Sequence, residues 1–103
     1  MNGNGGMTDI AADLGRRISA IDWRASPPRI AAEIAAVRGL AGRHAMLPVV
    51  TVARAMEAAL ARGERGPLVH GWLALLREAA GSARQDDTAS HAFAAACAVR
   101  LAA

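Results

Sequence analysis

The chain has 103 residues, with 12 basic residues against 9 acidic ones and a net charge of +3, and every basic residue is an arginine. That length suits one compact domain and excludes a core plus a separate catalytic domain, and so modest a charge, scattered among acids, makes nucleic-acid binding the weakest reading. Hydrophobic residues make up 53% of the sequence and aromatics 3%, with no tyrosine, so the interior must be built from Ala, Leu, Ile, Val and Met, a mixture that favours close-packed helices over a β-sandwich.

Residues Met1 to Gly6 (MNGNGG) lack hydrophobic periodicity and predict a disordered tail, reaching to residue 7, ahead of a single domain over 8–103. Thr8 or Asp9 can cap a first helix in which Ile10, Leu14, Ile18 and Ile21 line one face. Ser26 followed by Pro27 and Pro28 starts a second helix, expected from Pro27 to Ala45, with its seam at Ile30, Ile34, Val37 and Ala41. Pro48 restarts the chain, and Val49, Val52, Ala53, Met56 and Leu60 form the face of a third helix that Gly63 ends. Pro67 opens a fourth, with a broad apolar stripe of Leu68, Val69, Trp72, Leu73, Leu75, Leu76 and Ala79.

After the polar break Gly81–Asp87, where Asp86 and Asp87 read as a helix cap, a fifth helix to Leu101 carries Ala89, Phe93, Ala96, Cys97 and Arg100. Its small residues mark it as an addition packed on the others. Short connections make successive helices antiparallel. The expected fold is all-α, an up-and-down antiparallel four-helix bundle with an additional C-terminal helix.

Cys97, the one cysteine, excludes an internal disulfide and reads as small core packing. No apolar run approaches the roughly 20 residues of a membrane span, and no signal-peptide pattern opens the chain, so the expectation is a soluble, cytoplasmic protein with no membrane partner. The three histidines and the cysteine lack metal-ligand spacing, and the sequence has no phosphate loop or nucleophile elbow; no metal, cofactor or enzymatic activity is expected.

The stretch Arg38-Gly39-Leu40-Ala41-Gly42 resembles the H-x-L-[KA]-G signature of histidine-containing phosphotransfer (HPt) domains, with arginine where the phosphorylated histidine would stand. Ala53, Met56 and Glu57 resemble the family's A-x-x-[LM]-E pattern, and Gly63-Glu64 its turn; the likeness spans about residues 9 to 80, with its specific part at 37 to 64. It implies a four-helix signalling module of a two-component phosphorelay whose partner is a receiver domain or histidine kinase. Arginine cannot accept the phosphoryl group, because guanidinium stays protonated and offers only donors. What remains is docking.

On a helix, positions 38 and 42 lie about 40° apart, so Gly42 sits beside Arg38 on one outward face, adjoined by Gly39 and Ala35 and followed by Ala45. These five residues, Ala35, Arg38, Gly39, Gly42 and Ala45, form the candidate partner-binding face, and the arginine could meet an acidic cluster or a phosphate on the partner. The plainer readings are a solvated arginine and glycines that permit tight packing within the bundle. His44, about 240° around the helix from Arg38, points to the bundle's flank and reads as structural; it and His91, in H-A-F-A-A, are the alternative phosphoacceptors, whereas His70 has no fitting small residues after it. Trp23 and Trp72 read as core or rim anchors. A competing class is a structural or oligomerisation bundle, self-associating as a homodimer through the small-residue face of helix two or five.

Overall fold

The computed structural model describes residues 4–102 and contains, among them, five α-helices and no strand: α1 (Asn4–Ser19), α2 (Pro27–Arg43), α3 (Leu47–Ala61), α4 (Pro67–Ala80) and α5 (Asp87–Ala102). Among these residues no helix is long and apolar enough to cross a membrane. Of the expected N-terminal tail, residues 1–3 lie outside the described residues; from Asn4 the chain is helical, so Thr8 and Asp9 stand inside α1 and do not cap it. Once a stripe such as Leu14 and Ile18 is packed, each residue added to the helix gains a hydrogen bond without a new nucleation cost.

Helix α1 packs on α2 and α4, α2 on α3, and α3 on α4, while α5 packs on α3. The core lies between these elements. The predicted seams are buried at Leu14, Ile18 and Ile21 of the first segment, Ile30, Ile34, Val37 and Ala41 of α2, and Val49, Val52, Ala53, Met56 and Leu60 of α3, whereas Ile10, expected on the first face, is only half-buried. Helix α4 contributes Val69, Trp72, Leu73, Leu75, Leu76 and Ala79. Leu68 departs from the expected stripe and is 57% exposed; it lies on the stripe's flank in the first turn of α4, where the helix has only begun. Trp72 is buried with its indole N–H donating to Glu64 Oε1 at 2.8 Å, so its polar atom is satisfied on the way into the core.

Two helix ends share one hydrogen-bond pattern and differ in the residue that makes it possible. After α3, Glu64 N–H donates to Ala59 O and Gly63 N–H to Leu60 O, with Gly63 at φ 99°. After α2, Met46 N–H donates to Ala41 O and Ala45 N–H to Gly42 O, with Ala45 at φ 53°. Both are Schellman caps, which need a left-handed residue just past the helix. Helix α2 therefore stops at Arg43, short of the expected Ala45, and Ala45 is the strained turn residue. The turn also buries Met46 completely under the seam, the apolar contact that accompanies this cap.

Helix α5 is fastened at intervals along its length. Thr51 and Ser90 share a hydroxyl hydrogen bond of 2.6 Å, Arg62 donates to Leu101 O at 3.2 Å, and the Arg100 guanidinium lies 5.8 Å from the Trp72 ring. Gly71 leaves room for the last contact as it stands, since a Cβ there would come within 2.9 Å of Arg100 Nη1 and the guanidinium would have to shift. Its start is the expected cap: Asp86 accepts from Ala89 N–H at 3.0 Å and from Arg84, and these two bonds, the backbone one first, hold its carboxyl below the ordinary aspartate range. Only Cys97 of α5 is fully buried, and burial pushes its thiol above the ordinary range although Arg100 acts the other way.

Replacing Ala45 by glycine should stabilise the protein by about 0.5–1 kcal/mol, because the left-handed strain on an alanine exceeds glycine's extra unfolded-state entropy; denaturant unfolding reads it, and a loss of stability would reject the cap described here. Cys97 should react with a thiol reagent only when α5 lifts, at a rate matching amide exchange in α5 and well above that of global unfolding. Labelling as fast as for a free thiol would show that α5 does not cover it.

Candidate functional site

The candidate face is built on the α2–α3 hairpin. The seam of α2 turns inward, which leaves Arg38 about 80° and Ala35 about 140° around the axis from Ile30, on the flank that faces α3. There Arg38 is not a solvated arginine. Its Nε–H donates to Glu57 Oε1 at 2.8 Å and its Nη2–H to Glu57 Oε2 at 3.3 Å, a two-pronged ion pair whose side chains keep only 35% and 27% of their exposure. The hydrogen bond first and the charge of Glu57 second hold the guanidinium above its already high ordinary value, outweighing the opposite effect of burial. The two pieces of sequence that carry the HPt resemblance thus meet in space, and their charges cancel.

Around this pair the surface is made of small residues. Ala35 and Gly39 are half-buried, Gly42 and Ala45 exposed. A Cβ added at Gly39 or Gly42 would meet nothing within 4 Å, which removes tight packing inside the molecule as their explanation. Beside the pair a shallow groove of about 370 Å³ follows the α2–α3 seam past Pro27, Pro28, Ala31, Glu57, Ala61 and Arg65. With Arg38 and Glu57 neutralising each other, the charge left along this edge is that of Arg65 in the groove and Arg54, one turn before Glu57 and exposed. Among the described residues neither has a carboxylate within 4 Å. The edge is apolar, low in relief and positive.

The histidines lie apart from this face. His44 is the C-cap residue of α2, half-buried, its backbone N–H donating to Ala41 O. His91 is exposed on α5. Thr51, which meets α5, and Glu57, which meets α2, are six residues apart and so about 120° apart around α3 the short way, which puts His91 on a different flank of the hairpin. His70 stands edge-on to Trp23 with ring centroids 5.8 Å apart, and Arg24 covers the same indole at 4.6 Å. That cluster ties the α1–α2 loop to α4.

The role of Glu57 is the feature that sequence reasoning passed over. An antiparallel hairpin turning near residues 45 to 47 pairs positions whose numbers sum to about 90 to 94, and 38 with 57 falls within one residue of that register. No protein-family model, curated protein or solved structure matches the chain.

Because no neighbour needs Gly39, Gly39→Ala should raise stability by up to about 1 kcal/mol, the helix-propensity difference. Thermal or urea unfolding measures it; destabilisation would mean that the glycine is required by the fold and not by anything outside it.

Proposed function

We propose that this chain is an HPt-like signalling module that has given up phosphotransfer and acts by binding a receiver domain or histidine kinase through Ala35, Arg38, Gly39, Gly42 and Ala45. In this reading α1 to α4 form an up-and-down antiparallel bundle, in line with the cyclic order of their contacts, and α5 is an added helix. The observation that carries it is the pair Arg38–Glu57 beside two open glycines, Gly39 and Gly42. At the position resembling the phosphoacceptor stands a permanent cation already held by a carboxylate, so the site offers no lone pair to a phosphoryl group. Meanwhile glycines that cost helix stability and answer to no internal neighbour leave room for a partner's backbone to come close. Arg54 and Arg65 give the edge the sign that complements an acidic surface, as the resemblance implies for a receiver.

The test is incubation of the full chain with a panel of phosphorylated receivers and autophosphorylated kinases, following complex formation and label transfer together. Binding without transfer is the expected outcome, and Gly42→Arg should abolish it while leaving the far-ultraviolet helical signal unchanged. Acid-labile label on the chain would move the function to His44 or His91, to be separated by His44→Gln and His91→Gln. Neither binding nor transfer would overturn the proposal in favour of a structural bundle.

A further inference from the structure

On the far side of the molecule an open groove of about 680 Å³ follows the contact between α1 and α4, with Ala12, Gly15 and Ser19 on its α1 wall and Arg77 and Gly81 on the other. Thr8, Ala12, Gly15 and Ser19 succeed one another at spacings of four, three and four, the order of a coiled-coil seam. All face outward: Thr8, Ala12 and Ser19 are exposed, Gly15 is half-buried, and a Cβ at Gly15 would meet nothing within 4 Å. The core face of α1, with Leu14 and Ile18, is a different one.

The charges beside this seam decide what fits it. Asp9 and Arg16 are seven residues apart and therefore occupy the same flanking position of the repeat. Asp9 is exposed and makes no ion pair among the described residues, and Arg16, 71% exposed, has only a 3.5 Å contact with Asp13. When two such helices pair antiparallel, equivalent flanks face each other. Asp9 then stands opposite Arg16 of the second copy, and Arg16 opposite its Asp9. A parallel pair would instead set both against the other flank, where Ala11 carries no charge and Ile18 is buried in the chain's own core.

We propose that the α1–α4 groove is a self-association surface, in which α1 of a second copy of this chain lies antiparallel along Thr8, Ala12, Gly15 and Ser19 with two reciprocal Asp9–Arg16 ion pairs. The contact is isologous, as a two-fold dimer requires. Small seam residues let the helix axes approach closely. Helix α1 has 16 residues and is about 24 Å long, so the contact falls at the low end of stable interfaces and the dimer is a weak one. This surface is independent of the α2–α3 face and stands whether or not that face binds a receiver.

Sedimentation equilibrium of the full chain from ~10 µM to ~1 mM tests it. A concentration-dependent monomer–dimer equilibrium is expected, weakened about tenfold or more by Asp9→Arg or by Arg16→Asp alone, which set like charges face to face. The double variant Asp9→Arg/Arg16→Asp should recover the dimer, since both pairs are then merely reversed. Ala12→Glu, at an exposed position, should abolish it with helical content unchanged. A monomer throughout, including one that binds only foreign helices, overturns the proposal, as does a dimer indifferent to the single swaps or one that the double variant fails to restore.

Discussion

Burial of α3 is the constraint on which this architecture depends. An interior nearly without aromatics can be filled only if helices approach closely, and α3 is where that approach is densest, with Pro48, Val49, Val52, Ala53, Met56, Ala59 and Leu60 all buried. Two of these are alanines, so the helices they face can draw near to its backbone. It touches α2, α4 and α5, whereas α1 reaches the assembly through α2 and α4. The charged residues of α3 are consequently confined to a narrow outward strip, and Glu57 sits at its margin with α2.

That placement explains the character of the candidate site. A half-buried carboxylate beside a packed helix must find a cation, and Arg38 supplies one in a planar, two-pronged geometry that lysine could not match. The pair locks the hairpin's register from the outside while the Schellman turn and Met46 lock it from the end. An ion pair held this way is a fixed feature of the surface, and the small residues Ala35, Gly39, Gly42 and Ala45 beside it add shape.

Much of this was legible in the chain itself, for physical reasons that also mark the limits. Ile30, Ile34, Val37 and Ala41 repeat at the helical period, and the period alone places them inward; the same holds for the faces of α3 and α4. Proline at 27, 48 and 67 and glycine at 63 mark boundaries because each restricts or frees the backbone in one known way. Periodicity gives a direction around one helix's own axis and not what waits there. Leu68 points along a correct flank into solvent, Met46 is buried from a turn that has no period, and Arg38, outward by period alone, meets Glu57 because α3 brings it there. Ala45 was missed as a cap because alanine carries no signal for a left-handed backbone. The groove on α1 went unread since Thr, Ala, Gly and Ser are silent as a pattern until the other face of the helix is known to be occupied.

The docking of α5 has a consequence for the order in which the molecule is made. Its fastenings, Thr51 to Ser90 and Arg62 to Leu101, each join residues 39 apart in the chain, and α5 packs on a flank of α3. A nascent chain emerging at about 5–20 residues per second would therefore present that flank to its surroundings for a few seconds after α3 has formed. The α1–α4 core can assemble during that interval. Helix α5 then arrives as a cover on a body already built, held by contacts that its own local sequence cannot supply.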